Sequence, residues 1–205
     1  MDAVQTTVLR EPWEVQPRLQ ELALSKNKLL EVRDIAVHER ANATAFHAAN
    51  APGTFSYHHG IWALRHRFVG ADWRLDRTNG VETIRNDRLK LVVSFCNVDL
   101  ACVDTHRPQP RTKKGNGVER ASGPGLFEHL PQYAPRPKGE WQFFYLMVDE
   151  SGAVELSRPV VKGGGFMAMI ERIYLSNGSD DDGAGLTNDM PNTPIEFDPQ
   201  IARKV

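Results

Sequence analysis

The stretch WQFFYLMVDESGAVELSRPVV, residues 141–161, decides the fold class. Two runs rich in aromatic and β-branched residues flank Asp149-Glu150-Ser151-Gly152. Such runs suit a pleated, half-buried surface, and the polar tetrapeptide suits a hairpin connection. The stretch predicts two antiparallel strands. Upstream, RLKLVVSFCNVDLACV, residues 88–103, has a centre that is apolar at both parities. That is the pattern of an interior strand covered on two faces. Downstream, GGGFMAMIERIYL, residues 163–175, fits two states. Phe166, Met169, Ile170 and Ile173 make a helix face, while the length also suits a third strand.

The N-terminal half has a different period. From Pro17 to about Asn50, Leu22, Leu29, Val32 and Ile35 form one helical stripe that Ala45, Phe46 and Ala49 extend. Pro17 then falls in the first turn, where proline is tolerated. One helix of this extent would be about 50 Å long, so a break is expected near RANAT, residues 40–44. Ala51-Pro52-Gly53 is expected to end it. Tyr57, Ile61, Leu64 and Phe68 predict a second helix over 57–69, with Ser56 as its cap and Gly60 as a weak point. GADWRLDRTNG, residues 70–80, reads as a turn-rich connection. Helices precede strands without βαβ alternation, so the class is α+β: N-terminal helices packed on one face of a mainly antiparallel sheet. Residues 1–16 read as an N-terminal arm and 17–176 as a single domain. Within it, 105–139 is a long basic loop rich in Pro and Gly. Residues 177–205 read as an acidic loop or tail.

Of the 205 residues, 40% are apolar and 25% charged, the balance of a folded globule. The first residues have no basic segment followed by an apolar run, so no secretory leader is expected. Nor is a membrane span, for want of 18 consecutive apolar residues. Two cysteines are too few for a disulfide framework, so a reducing cytoplasmic setting is expected. The net charge of −1 hides an asymmetry. Residues 61–120 hold 12 Lys/Arg against 7 Asp/Glu, while residues 149–199 hold 3 against 10. The first block would attract phosphates; the second would attract a basic partner.

Several constellations bear on chemistry. On one helix His58 and His59 diverge by about 100°, and His59 and His66 lie two turns apart. Neither spacing is the i, i+4 pair that shares a zinc ion. The segment therefore reads as an amphipathic helix, with Arg65, His66 and Arg67 outward and Trp62 at the edge of the core. Cys96, Cys102 and His106 lack the close pairing of a zinc knuckle. Asp99 interrupts an apolar run and must be paired, metal-bound or at a strand end.

Asp104, His106, Pro108, Asn116 and His129 resemble the ββα-metal (HNH) nuclease motif, although Thr105 separates the acid from the first histidine. The resemblance implies a histidine that activates water beside Mg or Mn, with Asp104, His106 and His129 as the catalytic set. The same stretch gathers Arg107, Arg111, Lys113, Lys114 and Arg120 among glycines and prolines, a composition suited to phosphate contact. Aromatic residues for base stacking are not interleaved with these cations.

Together these features predict a non-enzymatic cytosolic binding protein of the kind that a phage or mobile element encodes. It would dock on nucleic acid or a nucleic-acid-processing complex through Arg65, Arg67, Arg107, Arg111, Lys113 and Lys114, with no cofactor and no membrane. Two alternatives stand beside it. One is a divalent-metal nuclease or phosphodiesterase. The other is an inhibitor or adaptor whose acidic C-terminal part, Asp149 to Asp198, imitates phosphate toward a protein partner.

Overall fold

The computed structural model describes residues 6–115 and 141–178. The hairpin is present: β5 (Gln142–Val148) pairs antiparallel with β6 (Val154–Lys162). β4 (Leu91–Asn97) lies parallel to β5 on its other side. Both strands are apolar at both parities because the sheet is covered twice. Phe95, Phe144, Leu146 and Val148 join the core under the helices. Cys96, Phe143, Tyr145 and Met147 join a smaller core on the opposite face.

The ambiguous segment is the strand β7 (Gly165–Ser176), paired antiparallel along β6. Gly163 and Gly164 have φ of +63° and +80°, as a two-residue hairpin turn requires. That turn commits the following residues to return along β6 and overrides their helical spacing. The register slips three times along this pair, once at Pro159, where a ladder N–H is missing.

Among the described residues seven strands form one sheet in the order β1-β7-β6-β5-β4-β3-β2. Four of its six pairings are antiparallel. β3 (Thr83–Asn86) and β2 (Arg74–Asp76) finish one edge, and β1 (Thr7–Leu9) runs parallel to β7 at the other. Three helices, α1 (Pro12–Glu21), α2 (Lys26–Ala41) and α3 (Ala51–Phe68), contribute to one core with one face of the sheet. Leu19, Leu29, Val32, Ala63 and Leu64 meet Ile84, Phe95, Leu146 and Ile173 there, all at most 1% exposed. Each large side chain buried this way stabilises by about 1.5–3 kcal/mol. The class is α+β, as the element order predicts.

Boundaries differ from the sequence reading. Residues 7–9 are paired in the sheet and helix begins at Pro12, so the supposed arm is structured over 7–16 except for Arg10 and Glu11. Pro12, not Pro17, occupies the first turn, and Glu14 accepts a hydrogen bond from the Glu11 N–H at 3.3 Å. The long helical stretch divides at Leu22–Ser25, where Ala23 has φ of +54°, and α2 ends at Ala41. Ala51-Pro52-Gly53 starts α3 instead of ending α2, because a proline in the first turn lacks only an N–H that the helix leaves unused. Ser56 lies inside α3 and donates to Asn97 Oδ1 at 2.8 Å instead of capping. β2 falls in the stretch expected to be a turn-rich connection.

Candidate functional site

β3 leaves the edge of β4 at Thr83, opposite Ser94. Further along, residues 109–111 take up the end of β4. Pro110 bridges Val98, the Arg111 N–H donates to the Asn97 carbonyl at 3.0 Å, and the Asp99 N–H donates to the Gln109 carbonyl at 3.0 Å. Between these two segments opens a cleft of about 1000 Å³. Its walls come from the end of α2 (Arg40), the first turns of α3 (Pro52, Tyr57, His58), β4 and β5 (Phe95, Tyr145) and residues 111–115.

Buried carboxylates hold the segment 99–111 in place. Asp149 Oδ2 accepts from the Ala101 N–H at 3.0 Å, while its Oδ1 takes the N–H groups of Ser151 and Ala153. Glu155 accepts from the Cys102 N–H at 2.7 Å and is paired with Arg172, which donates to the carbonyls of Val103 and His106. Asp99 organises the outer turn, accepting from Leu100 N–H, Gln109 N–H and the His106 ring. Burial would raise its pKa, but those hydrogen bonds outweigh burial and hold it below the usual carboxylate range. Asp99 is thus the strand-end acid, engaged in local structure.

The cleft is cationic. Arg40, Arg111, Lys113 and Lys114 line it, and among the described residues Glu150 is the single lining carboxylate. Glu150 bridges Arg40 and Arg111, 2.7 Å from the latter's Nη2. Lys114 is fixed by its backbone: its N–H donates to the Gly164 carbonyl at 2.9 Å. Its ammonium lies 5.2 Å from the centroid of the Tyr145 ring. Tyr145 is 1% exposed, and its hydroxyl is buried with no hydrogen-bond partner among the described residues. Burial, with Cys96 and Tyr57 nearby, pushes the Tyr145 pKa well up. Burial also raises Cys96, against the opposing charge of Lys114, and raises Tyr57. At neutral pH the cations of the site therefore lie near two neutral phenols and a neutral thiol.

The six cations expected to form one surface are divided. Arg111, Lys113 and Lys114 line the cleft; Arg65, Arg67 and Arg107 do not. Arg65 is paired with Glu82, Arg67 Nε lies 2.8 Å from Glu31, and Arg107 donates to the Met167 carbonyl. The charges of Arg65 and Arg67 are offset locally because α3 packs its C-terminal turns against acids of α2 and of the segment before β3, whereas Arg107 is held by a carbonyl and lies outside the cleft lining.

The histidines of α3 also have local partners: His59 lies 3.7 Å from Glu39, and His66 stacks on Trp62 with centroids 4.9 Å apart. Of the nuclease-like catalytic set, only Asp104 and His106 are among the described residues. Asp104 pairs with Arg10 and accepts from the Tyr174 hydroxyl, while His106 pairs with Asp99. Among the described residues no three His, Cys, Asp or Glu side chains could jointly hold a metal ion. Asn116, Arg120 and His129 lie outside the described residues.

The acidic block is largely turned inward where it is described. Asp149 and Glu155 are buried, and Glu171 is gripped by Arg18 at 2.7 Å. The acids from Asp180 to Asp198 lie outside the described residues. No helix among the described residues is long and apolar enough to cross a membrane.

Arg40, Tyr57, Cys96 and Tyr145 escape a sequence reading of the site. Tyr57 falls on the helix's core stripe, and Tyr145 and Cys96 sit inside strands that read as interior. One signal was available: Tyr145 is a polar-tipped ring in an otherwise apolar run, and a buried phenol normally needs a partner. No family model matches the chain, and neither a curated protein nor a solved structure is similar to it.

Proposed function

We propose that this is a binding protein that docks on the phosphate backbone of nucleic acid through the cationic cleft. The supporting observation is the convergence of Arg40, Arg111, Lys113 and Lys114 on one opening where, among the described residues, Glu150 is the only lining carboxylate. Lysines on a glycine-containing segment suit phosphate contact, which positions a strand without reading its sequence. Arg65 and Arg67, being paired with carboxylates, and Arg107, lying outside the cleft lining, contribute little.

Titration of duplex and single-stranded DNA and RNA at several salt concentrations tests this. The logarithm of affinity should fall linearly with the logarithm of salt concentration. Lys113→Ala and Lys114→Ala should each lower that slope by about 1. Absence of binding at low salt removes the proposal.

A further inference from the structure

We infer that the inner end of the cleft is a site for a phosphate monoester carried on an organic body of nucleotide size, with the phosphate held by Lys114 and the Tyr145 hydroxyl. The inference rests on the reading that the cationic cleft attracts phosphate, and it adds a defined ligand at its floor.

Three features point there. First, the Tyr145 hydroxyl is buried without a partner among the described residues. A native structure seldom leaves such a group unpaired unless an absent ligand or water completes it. Second, Lys114 stands over that ring, and among the described residues it has no carboxylate partner. Arg40 and Arg111 share Glu150 and are partly neutralised. An incoming anion is therefore drawn past them to Lys113 and Lys114, of which Lys114 lies beside the Tyr145 ring. Third, the cleft of about 1000 Å³ is far larger than a phosphate ion, and Val37, Pro52, Val81 and Phe95 provide apolar wall. Pockets for organic ligands combine such walls with a few placed polar groups. Four cations against one carboxylate favour a dianion over a monocarboxylate.

The ester has two sources, a free nucleotide or the phosphorylated end of a strand. Calorimetric titration of the full chain separates them, using nucleoside 5′-monophosphates, the matching nucleosides, and oligonucleotides with a 5′-phosphate or a 5′-hydroxyl. The monophosphate should bind and the nucleoside should not. Tyr145→Phe and Lys114→Met should each weaken binding about tenfold, the loss of one charge-assisted contact. Tyr145→Phe removes an unpaired hydroxyl, so its unfolding midpoint should match or exceed that of the parent chain, which separates lost contact from lost fold. Tyr145-dependent preference for the 5′-phosphorylated oligonucleotide assigns the ester to a strand end; binding of the free nucleotide alone assigns it to a metabolite. Either result supports the site. Failure of monophosphates and of 5′-phosphorylated ends to bind, or equal binding by Tyr145→Phe, overturns it. If duplex still binds with a steep salt dependence, the docking proposal survives that failure. If nucleotides bind but no polymer does, the docking proposal falls and this inference stands.

Discussion

Arg172 on β7 and Glu155 on β6 form an ion pair in the sheet, with Nη2 2.6 Å from Oε2 and side chains 4% and 0% exposed. Charges so deeply buried must be satisfied by each other and by hydrogen bonds. Here the Ser157 hydroxyl and the Cys102 N–H complete Glu155, and the Val103 and His106 carbonyls complete Arg172. The pair thus fastens the segment 101–106 to the face opposite the helices. That segment leads into residues 111–115, and so the pair positions one wall of the cleft.

Removing one partner should be costly. Arg172→Met leaves a buried carboxylate uncompensated, and urea unfolding should show a loss of about 3–5 kcal/mol. The double change Glu155→Leu with Arg172→Met should recover part of that loss in stability. Hydrogen exchange should nonetheless speed up at Cys102, whose N–H loses its acceptor. A single change costing under about 1 kcal/mol would contradict the assigned role.

Gly60 of α3 packs directly against the ring of Phe95 on β4. A methyl group added at Gly60 would sit 2.6 Å from Phe95 Cζ, inside contact distance. Helix propensity alone predicts that Gly60→Ala stabilises by about 1 kcal/mol. Overpacking predicts the opposite sign, a loss of about 1–3 kcal/mol. Denaturation midpoints decide between them, and adding Phe95→Leu should restore part of the loss.

Stability should fall on the acid side. Asp99 is held below its usual 3.8 by hydrogen bonds that outweigh burial. Glu150 is held below its usual 4.5 chiefly by the charge of Arg40, then by Arg111. A carboxylate with a depressed folded pKa contributes stability that is present above its unfolded pKa and lost as pH falls through the folded value. Urea midpoints should therefore fall once pH drops below about 4.5, and the Asp99→Asn variant should fall less steeply over that interval.

Both thiols should be inert in the folded protein. Burial, reinforced by Glu155, pushes the Cys102 pKa up to about 12, and burial raises Cys96 as well. Since the thiolate is the reactive form, a disulfide reagent at pH 8 should leave both unmodified until denaturant is added. Rapid labelling of Cys96 without denaturant would mean that the cleft floor opens.

Much of the architecture was legible in the chain. The 141–161 hairpin follows from β-branched and aromatic runs around a polar turn, and α3 follows from the Tyr57, Ile61, Leu64, Phe68 stripe. Both are local patterns that one element can express by itself. The β7 segment was not settled that way, because four apolar residues satisfy both periods. Only the turn at Gly163-Gly164 and the available edge of β6 commit it to strand. β1 and the first turns of α1, before Pro17, were missed for a similar reason. Three residues at a sheet edge carry almost no periodic signal, and the docking of β1 depends on β7, more than 150 residues away.

The candidate site was less legible than the fold. Arg111, Lys113 and Lys114 stand together in the chain and remain together in space. Tyr57, Cys96 and Tyr145 come from a helix and two strands, and no spacing rule links them. By itself, then, the sequence determined the class of fold, the hairpin and the basic segment, because these depend on near neighbours and composition. Tertiary structure alone decided which cations are neutralised and which line the cleft, and where a buried hydroxyl lacks a partner. Charge pairing and burial depend on contacts between residues distant in the chain, and distance along the chain does not specify them.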